Sequence, residues 1–151
     1  MAITISREDH RSPVATALLE ELSETLAAIT GDSGCSSFSP DDLDHPRAVF
    51  ALARGETGAA LGCGAIRPYD ETTAEVKRMY ARQAGSGVGT LLLAYLEEQA
   101  RALGYAALVL ETRKANQGAV GFYLARGYQV TPNFGKYAGR EEAICFKKML
   151  R

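Results

Sequence analysis

Residues 78–105 read RMYARQAGSGVGTLLLAYLEEQARALGY, with glycines at 85, 87 and 89 immediately ahead of an apolar helical pattern. Val88, Leu92, Tyr95, Leu96, Gln99 and Leu103 fall on one side of a helix running from about Val88 to Leu103, and Gly104 stands where a left-handed cap would end it. A glycine turn at the head of a helix lets backbone approach a ligand closely. The unpaired N–H groups of the first helical turn then point at that ligand, and the helix dipole favours negative charge. Phosphate is the natural occupant, although a tight strand-to-helix turn without any ligand would use the same residues.

Upstream, AEVKRMYA (74–81) reads as a strand, with Glu75, Lys77 and Met79 on one face and Val76, Arg78 and Tyr80 on the other. Downstream, YAALVLET (105–112) is a nearly continuous apolar run, the mark of a strand covered on both faces. Asn116 is placed to cap a helix over 117–126 that Gly127 ends. Further out, residues 2–6 read as a short strand and 12–31 as a helix with Ser12 as cap, Pro13 at its first position and Gly31 at its end. Residues 32–45 read as loop with a helical turn at Pro40–Leu43, and 48–54 and 59–69 as strands joined by the turn GETG. Short strands at 128–131 and 142–150 close the chain around the loop PNFGKYAGR. The expected fold is a mixed α/β domain: a largely antiparallel twisted sheet of six or seven strands, about four helices, and one β–α–β crossover at the glycine loop.

The 151 residues suit one domain spanning 1–151, without repeats or linkers. Seventeen Lys and Arg stand against 18 Asp and Glu, for a net charge of −1. That balance does not suggest a nucleic-acid partner, which needs a clustered basic surface. No apolar run approaches the length that spans a bilayer, and MAITISREDHRSP lacks the apolar core of a secretion signal, so a cytoplasmic protein with no membrane association is expected. Cys35, Cys63 and Cys145 show no CxxC spacing, and His10 and His45 stand apart, so neither a disulfide framework nor a metal site is expected.

Several phosphate-binding motifs fit poorly. GxxxxGK[ST] is absent. From Gly85 the dinucleotide pattern GxGxxG breaks at Thr90, and the acidic residue expected about 20 positions on would be Glu111, inside the next strand rather than at its end. From Glu75 onward, however, the chain resembles the GNAT superfamily of acyl-CoA-dependent N-acyltransferases. That family's signature is a strand followed by [Q/R]-x-x-G-x-[G/A] and a helix, and AEVKRMYARQAGSGVGTLLLAYLEEQA takes this form with Gly87-Val88-Gly89 as the G-x-G. LVLETRKANQGAVGFYLARGY resembles the second motif, and GKYAGREEAICFKKML resembles a common terminal strand. One position departs: the family's Gln or Arg is Ala84 here, with Arg82 two residues upstream as the candidate cation.

The resemblance implies acetyl-CoA as co-substrate, with its pyrophosphate on the backbone of Gly85, Ser86, Gly87, Val88, Gly89 and Thr90, near Arg82. It implies that the pantetheine arm pairs with Met79, Tyr80 and Ala81, within reach of Asn116, and that the thioester lies between strands 74–81 and 105–112. It further implies transfer of an acetyl group to a primary amine of a small molecule or peptide by direct attack, and a homodimer through the C-terminal strands. Acyl transfer to nitrogen needs the amine deprotonated, since an alkylammonium titrates near ~10. It also needs a donor for the oxyanion, such as an N–H near Met79, and a proton for the leaving thiolate. By resemblance Glu75 is the candidate base and Tyr123 the candidate acid, while an ion-paired strand glutamate and a packed helix tyrosine explain the same residues without chemistry. Lys77, Arg78 and Arg113 hint at an acceptor bearing a carboxylate, while solvated strand-end charges explain any one of them more simply; the resemblance implies an acceptor pocket involving 32–45, 59–69 and 132–139. A non-catalytic acyl-CoA-binding sensor would share the glycine loop but would not need Tyr123 or Glu75.

Overall fold

Seven strands form one sheet in the computed structural model, which describes residues 2–34 and 38–150. Cys35 and the middle of the 32–45 loop lie outside the described residues. In chain order the elements are β1 (Thr4–Arg7), α1 (Pro13–Thr30), a 3-10 turn (Pro40–Leu43), β2 (Val49–Arg54), β3 (Ala60–Pro68), β4 (Thr73–Ala81), α2 (Val88–Ala102), β5 (Ala107–Arg113), α3 (Gln117–Ala125), β6 (Gln129–Thr131), a second 3-10 turn (Gly135–Tyr137) and β7 (Ala143–Met149). The order across the sheet is β1-β2-β3-β4-β5-β7-β6. Among the described residues only β4 and β5 pair in parallel, which is why a helix must carry the chain from one to the other. Where the sequence suggests about four helices, the described residues hold three α-helices and the two 3-10 turns.

Local signals place the elements as read. Ser12 accepts a hydrogen bond from the Ala15 N–H at 3.2 Å, and Gly31, at φ 79°, donates to the Ala27 carbonyl. β2 and β3 are apolar because both faces are covered. On one face α1 packs Ala15 and Leu18 against Phe50, Leu52, Cys63 and Ala65. On the other, α2 packs Val88, Leu92 and Leu96 against Ala51, Ala53, Ile66 and Val76, in a core that also takes in Tyr123, Tyr128 and Phe146. Cys63 and Cys145 are both buried. Burial pushes the Cys63 thiol up to about 12 and raises that of Cys145, so neither is a thiolate at neutral pH.

The expected alternation along β4 fails at one point. β3 and β4 pair as Ala65↔Lys77 and Cys63↔Tyr80, which leaves Arg78 and Met79 together opposite Gly64. Arg78 takes up the extra residue with φ 57°, the one left-handed non-glycine among the described residues. The bulge flips the faces beyond it. Met79 joins Val76 on the α2 side rather than Lys77, and Tyr80 joins the α1 side. The crowding this causes explains two glycines: a Cβ at Gly64 would strike the Met79 sulfur, and one at Gly62 would strike the Tyr80 carbonyl oxygen.

Gly62→Ala is therefore expected to destabilise the fold by about 1–3 kcal/mol, because a backbone oxygen cannot move aside without breaking the ladder. Gly121→Ala, in α3 with open space around it, is expected to hold or slightly raise stability. Thermal unfolding of the two variants checks both, and equal melting points would contradict the close approach.

Candidate active site

The parallel pairing of β4 and β5 covers only Thr73↔Ala107, Ala74↔Leu108 and Glu75↔Val109. Beyond Glu75 the strands part, and among the described residues the edge of β4 from Lys77 to Ala81 that faces β5 has no strand beside it. Two cavities fill the gap. Both are lined by Leu22 and Leu26 of α1, Met79 of β4, and Asn116, Ala119 and Tyr123 at and within α3.

The larger cavity, about 600 Å³, runs along Met79, Tyr80 and Ala81 to the glycine loop. Gly85 and Gly87 have φ 75° and 86°, conformations that a side chain would strain even though the space beside each is open. Gly87 is the N-cap of α2 and supplies no side-chain cap; the Val88 N–H donates to Ser86 Oγ at 3.5 Å, and those of Gly89 and Thr90 have no partner among the described residues and are open to a ligand. Gly89 serves packing instead, since a Cβ there would lie 3.2 Å from the Phe122 ring. Asn116 caps α3 through Oδ1, which accepts from the Ala119 N–H at 3.3 Å, and its side of the helix lines both cavities.

Arg82 does not stand at this loop. Its guanidinium grips the Glu21 carboxylate on α1 and donates to the Ala60 carbonyl at 2.9 Å, and it is absent from the cavity wall. The cation at the loop is Arg126, which sequence reasoning missed. Its Nε and Nη2 donate to Thr90 Oγ1 at 3.0 and 2.8 Å, and it lies over the Phe122 ring at 4.4 Å. No carboxylate among the described residues pairs with it, although it adds positive charge to the positive end of a helix. Its distance in sequence from the glycines hid it; the fold brings α3 against the start of α2.

The smaller cavity, about 130 Å³, lies between the parted strands and is walled by Val76, Lys77, Arg78, Leu110, Glu111 and Arg113, with Thr30, Asp32 and Gly34 beyond α1. Of the segments expected at an acceptor pocket, only the start of the 32–45 loop lines this cavity among the described residues; β3 and the 132–139 loop do not. For β3 the reason is that β4 itself lies between it and the gap. Lys77 Nζ donates to Tyr137 Oη at 2.8 Å, and burial lowers its pKa against the pull of Glu75. Arg78 donates to the Leu19 and Ser33 carbonyls and to Ser23 Oγ. Arg113 bonds Asp32 at 2.6 Å and Glu142 at 3.0 Å. The three cations expected to bind an acceptor carboxylate are thus each held by protein groups.

Glu75 is buried rather than exposed, and it does not line either cavity. Arg67 donates to Oε1 at 2.8 Å, and Tyr137 donates to Oε2 at 3.1 Å, with Lys77 Nζ at 3.5 Å from the same oxygen. Tyr123 is buried, and its ring meets Phe122 and Tyr128 edge-on, yet it lines both cavities where they join. Burial raises its pKa well above the usual phenol range, so the hydroxyl stays protonated at neutral pH. Two carboxylates line the smaller cavity, Asp32 and Glu111; burial raises the pKa of Glu111 against the opposing pull of Arg113 and Lys77.

The family model described as the acetyltransferase (GNAT) family matches residues 15–128. An IAA acetyltransferase of Azospirillum brasilense is 31% identical over 98% of both chains. Among solved structures, a putative acyl-CoA N-acyltransferase from Klebsiella pneumoniae subsp. pneumoniae MGH 78578 superposes with a TM-score of 0.83 at 28% identity, over 99% of this chain and 98% of that one. A GNAT family acetyltransferase from Elizabethkingia anophelis with acetyl-CoA bound shares the fold with a TM-score of 0.71 at 21% identity, over 98% of each chain. The chain belongs to the GNAT acetyltransferase family and is an acyltransferase. No helix among the described residues is long and apolar enough to cross a membrane.

Replacing Glu75 with Gln removes the charge that Arg67, Lys77 and Tyr137 all address. A loss of about 1.5–3 kcal/mol is expected, since hydrogen bonds to charged groups are worth roughly that. The variant's melting point should fall by several degrees; an unchanged value would mean the network carries no stability.

Proposed function

We propose that this enzyme transfers an acetyl group from acetyl-CoA to a primary amine by direct attack within a ternary complex. The observation that carries the reading is the meeting of two unlike cavities at Tyr123 and Met79. The larger one offers what a long phosphorylated thioester needs: open helix N–H groups and Arg126 at one end, and an unpaired strand edge along its length. The smaller one is compact and charged, and suits an amine. The relatives bear acetyltransferase names, and one fold neighbour holds acetyl-CoA. An acyl-CoA sensor would have a use for the larger cavity only.

In this reading the phosphates lie on the backbone of Gly85–Thr90, with Arg126 taking the role expected of Arg82. The pantetheine amides pair with the free edge of Met79–Ala81, and the thioester carbonyl lies in the strand gap beside Tyr123. An N–H at the bulge near Met79 faces the developing oxyanion. As the C–S bond breaks, Tyr123 gives its proton to the sulfur. A buried phenol is a weak acid, so it does this only while recovering a proton from the ammonium-like nitrogen of the adduct. Glu75 acts at one remove, by fixing the position of Lys77.

Two measurements test the assignment. Tyr123→Phe should lower kcat by roughly 10²–10⁴-fold with little change in acetyl-CoA affinity; parent-like turnover would remove Tyr123 from the chemistry. Arg126→Gln should weaken coenzyme A binding by about ten- to a hundredfold, the loss of one charge-assisted contact. Arg82→Gln should bind as the parent does, and the reverse pattern would restore Arg82.

A further inference from the structure

A buried ionic cluster lies outside both cavities, where α2, the end of α3 and β7 meet. Glu97 of α2 is buried. Its Oε2 accepts from Tyr128 Oη at 2.9 Å and from Lys148 Nζ of β7 at 3.0 Å. Lys148 Nζ also donates to the Arg126 carbonyl at 3.0 Å and lies over the Tyr128 ring at 5.4 Å. None of Glu97, Tyr128 and Lys148 lines either cavity, so none of them touches a ligand there.

Taking an ion pair out of water is costly, and apolar side chains of similar volume often do as well or better for stability. Stability alone is therefore a weak reason for this cluster. Its contacts lead to one residue. Arg126 is the C-cap of α3, a position where helix carbonyls lack partners, and the last turn of that helix carries no basic side chain of its own. Lys148 supplies the missing cation from β7. The guanidinium of the same Arg126 is fixed from the other side, by Thr90 Oγ1 and the Phe122 ring. Thr90 and Glu97 both belong to α2 and stand about two turns apart, so they share a side of it. One helix thus grips Arg126 twice: its side chain through Thr90, and its main chain through Glu97 and Lys148.

We propose that Glu97 is a positioning residue for coenzyme A: acting through Lys148, it fixes where α3 ends and so aims the Arg126 guanidinium at phosphates bound on the start of α2. The inference rests on the acetyl-transfer reading, which puts the phosphates there. With the Glu97 charge removed, Lys148, whose side chain is 27% exposed, turns to water. The Arg126 carbonyl then loses its donor and the last turn of α3 is free to shift. A guanidinium carried on a shifted backbone keeps either Thr90 or the phosphate in good geometry, not both. The cost falls on ligand affinity, because the cavity walls themselves are untouched.

The test is a double-mutant cycle read by calorimetric titration of coenzyme A, which needs no acceptor. Glu97→Gln and Lys148→Met are each expected to weaken binding by about three- to tenfold. In an Arg126→Gln background, Lys148→Met should cost no more than about twofold, because the residue through which it acts is gone. Tyr128→Phe removes a bond to Glu97 but leaves the link from Glu97 through Lys148 to Arg126. It should lower the melting point by a few degrees while affinity stays within about twofold of the parent. Should Glu97→Gln fail to fold, Lys148→Met carries the test, since that side chain already reaches solvent. Parent-like affinity in Lys148→Met would overturn the proposal. So would an equal loss with and without Arg126, or a loss in Tyr128→Phe as large as in Lys148→Met, since affinity would then merely follow stability. A parent protein that binds no coenzyme A would instead overturn the acetyl-transfer reading, and this proposal with it.

Discussion

The extra residue in β4 is the constraint on which the rest depends. Arg78 sits in a left-handed conformation that costs a non-glycine residue of order 1–3 kcal/mol. Its guanidinium is anchored to α1 through the Leu19 carbonyl and Ser23 Oγ, which holds the strained backbone in place. The bulge bends β4 just past its short pairing with β5, and the sheet opens there. Without that opening, α1 on one face and α3 on the other could not line a common cavity. The same bulge turns Met79 towards α2 and leaves the outer edge of β4 free. One strained residue thus makes a gap, a backbone edge for a ligand and a junction between two chambers.

Charge divides those chambers. At the glycine loop, positive features converge: the dipole of α2, the N–H groups of Gly89 and Thr90, and Arg126. Between the strands the charges are interleaved. Lys77 is tied to Tyr137 beside Glu75, Arg113 is held by Asp32 and Glu142, and the carboxylate of Glu111 lies beside Arg113. An anionic donor and a cationic acceptor would therefore enter from different sides and meet at Tyr123, whose buried hydroxyl stays neutral in either company.

Much of the fold is legible in the chain because its signals are local. Ser12, Pro13 and Gly31 bound α1, Gly87 and Gly104 bracket α2, and Asn116 caps α3, each within a residue or two of the expected place. Tyr123, Asn116 and the glycine loop are readable for the same reason, through motifs short enough to see in the chain. What escapes depends on pairs distant in sequence. The bulge at Arg78 leaves no trace in a run such as EVKRMYA, which alternates plausibly either way. Arg82 lies beside the loop in sequence, but Glu21, 61 residues away, draws it off. Arg126 lies 36 residues beyond Thr90 and reaches it.

The most direct test is a crystal structure of the enzyme with acetyl-CoA. Phosphate oxygens are expected on the N–H groups of Gly85–Thr90 beside Arg126, pantetheine amides on the free edge of Met79–Ala81, and the thioester carbonyl in the gap between β4 and β5 next to Tyr123. Phosphates bound away from the start of α2, or an acyl group that stays outside the strand gap, would contradict this arrangement.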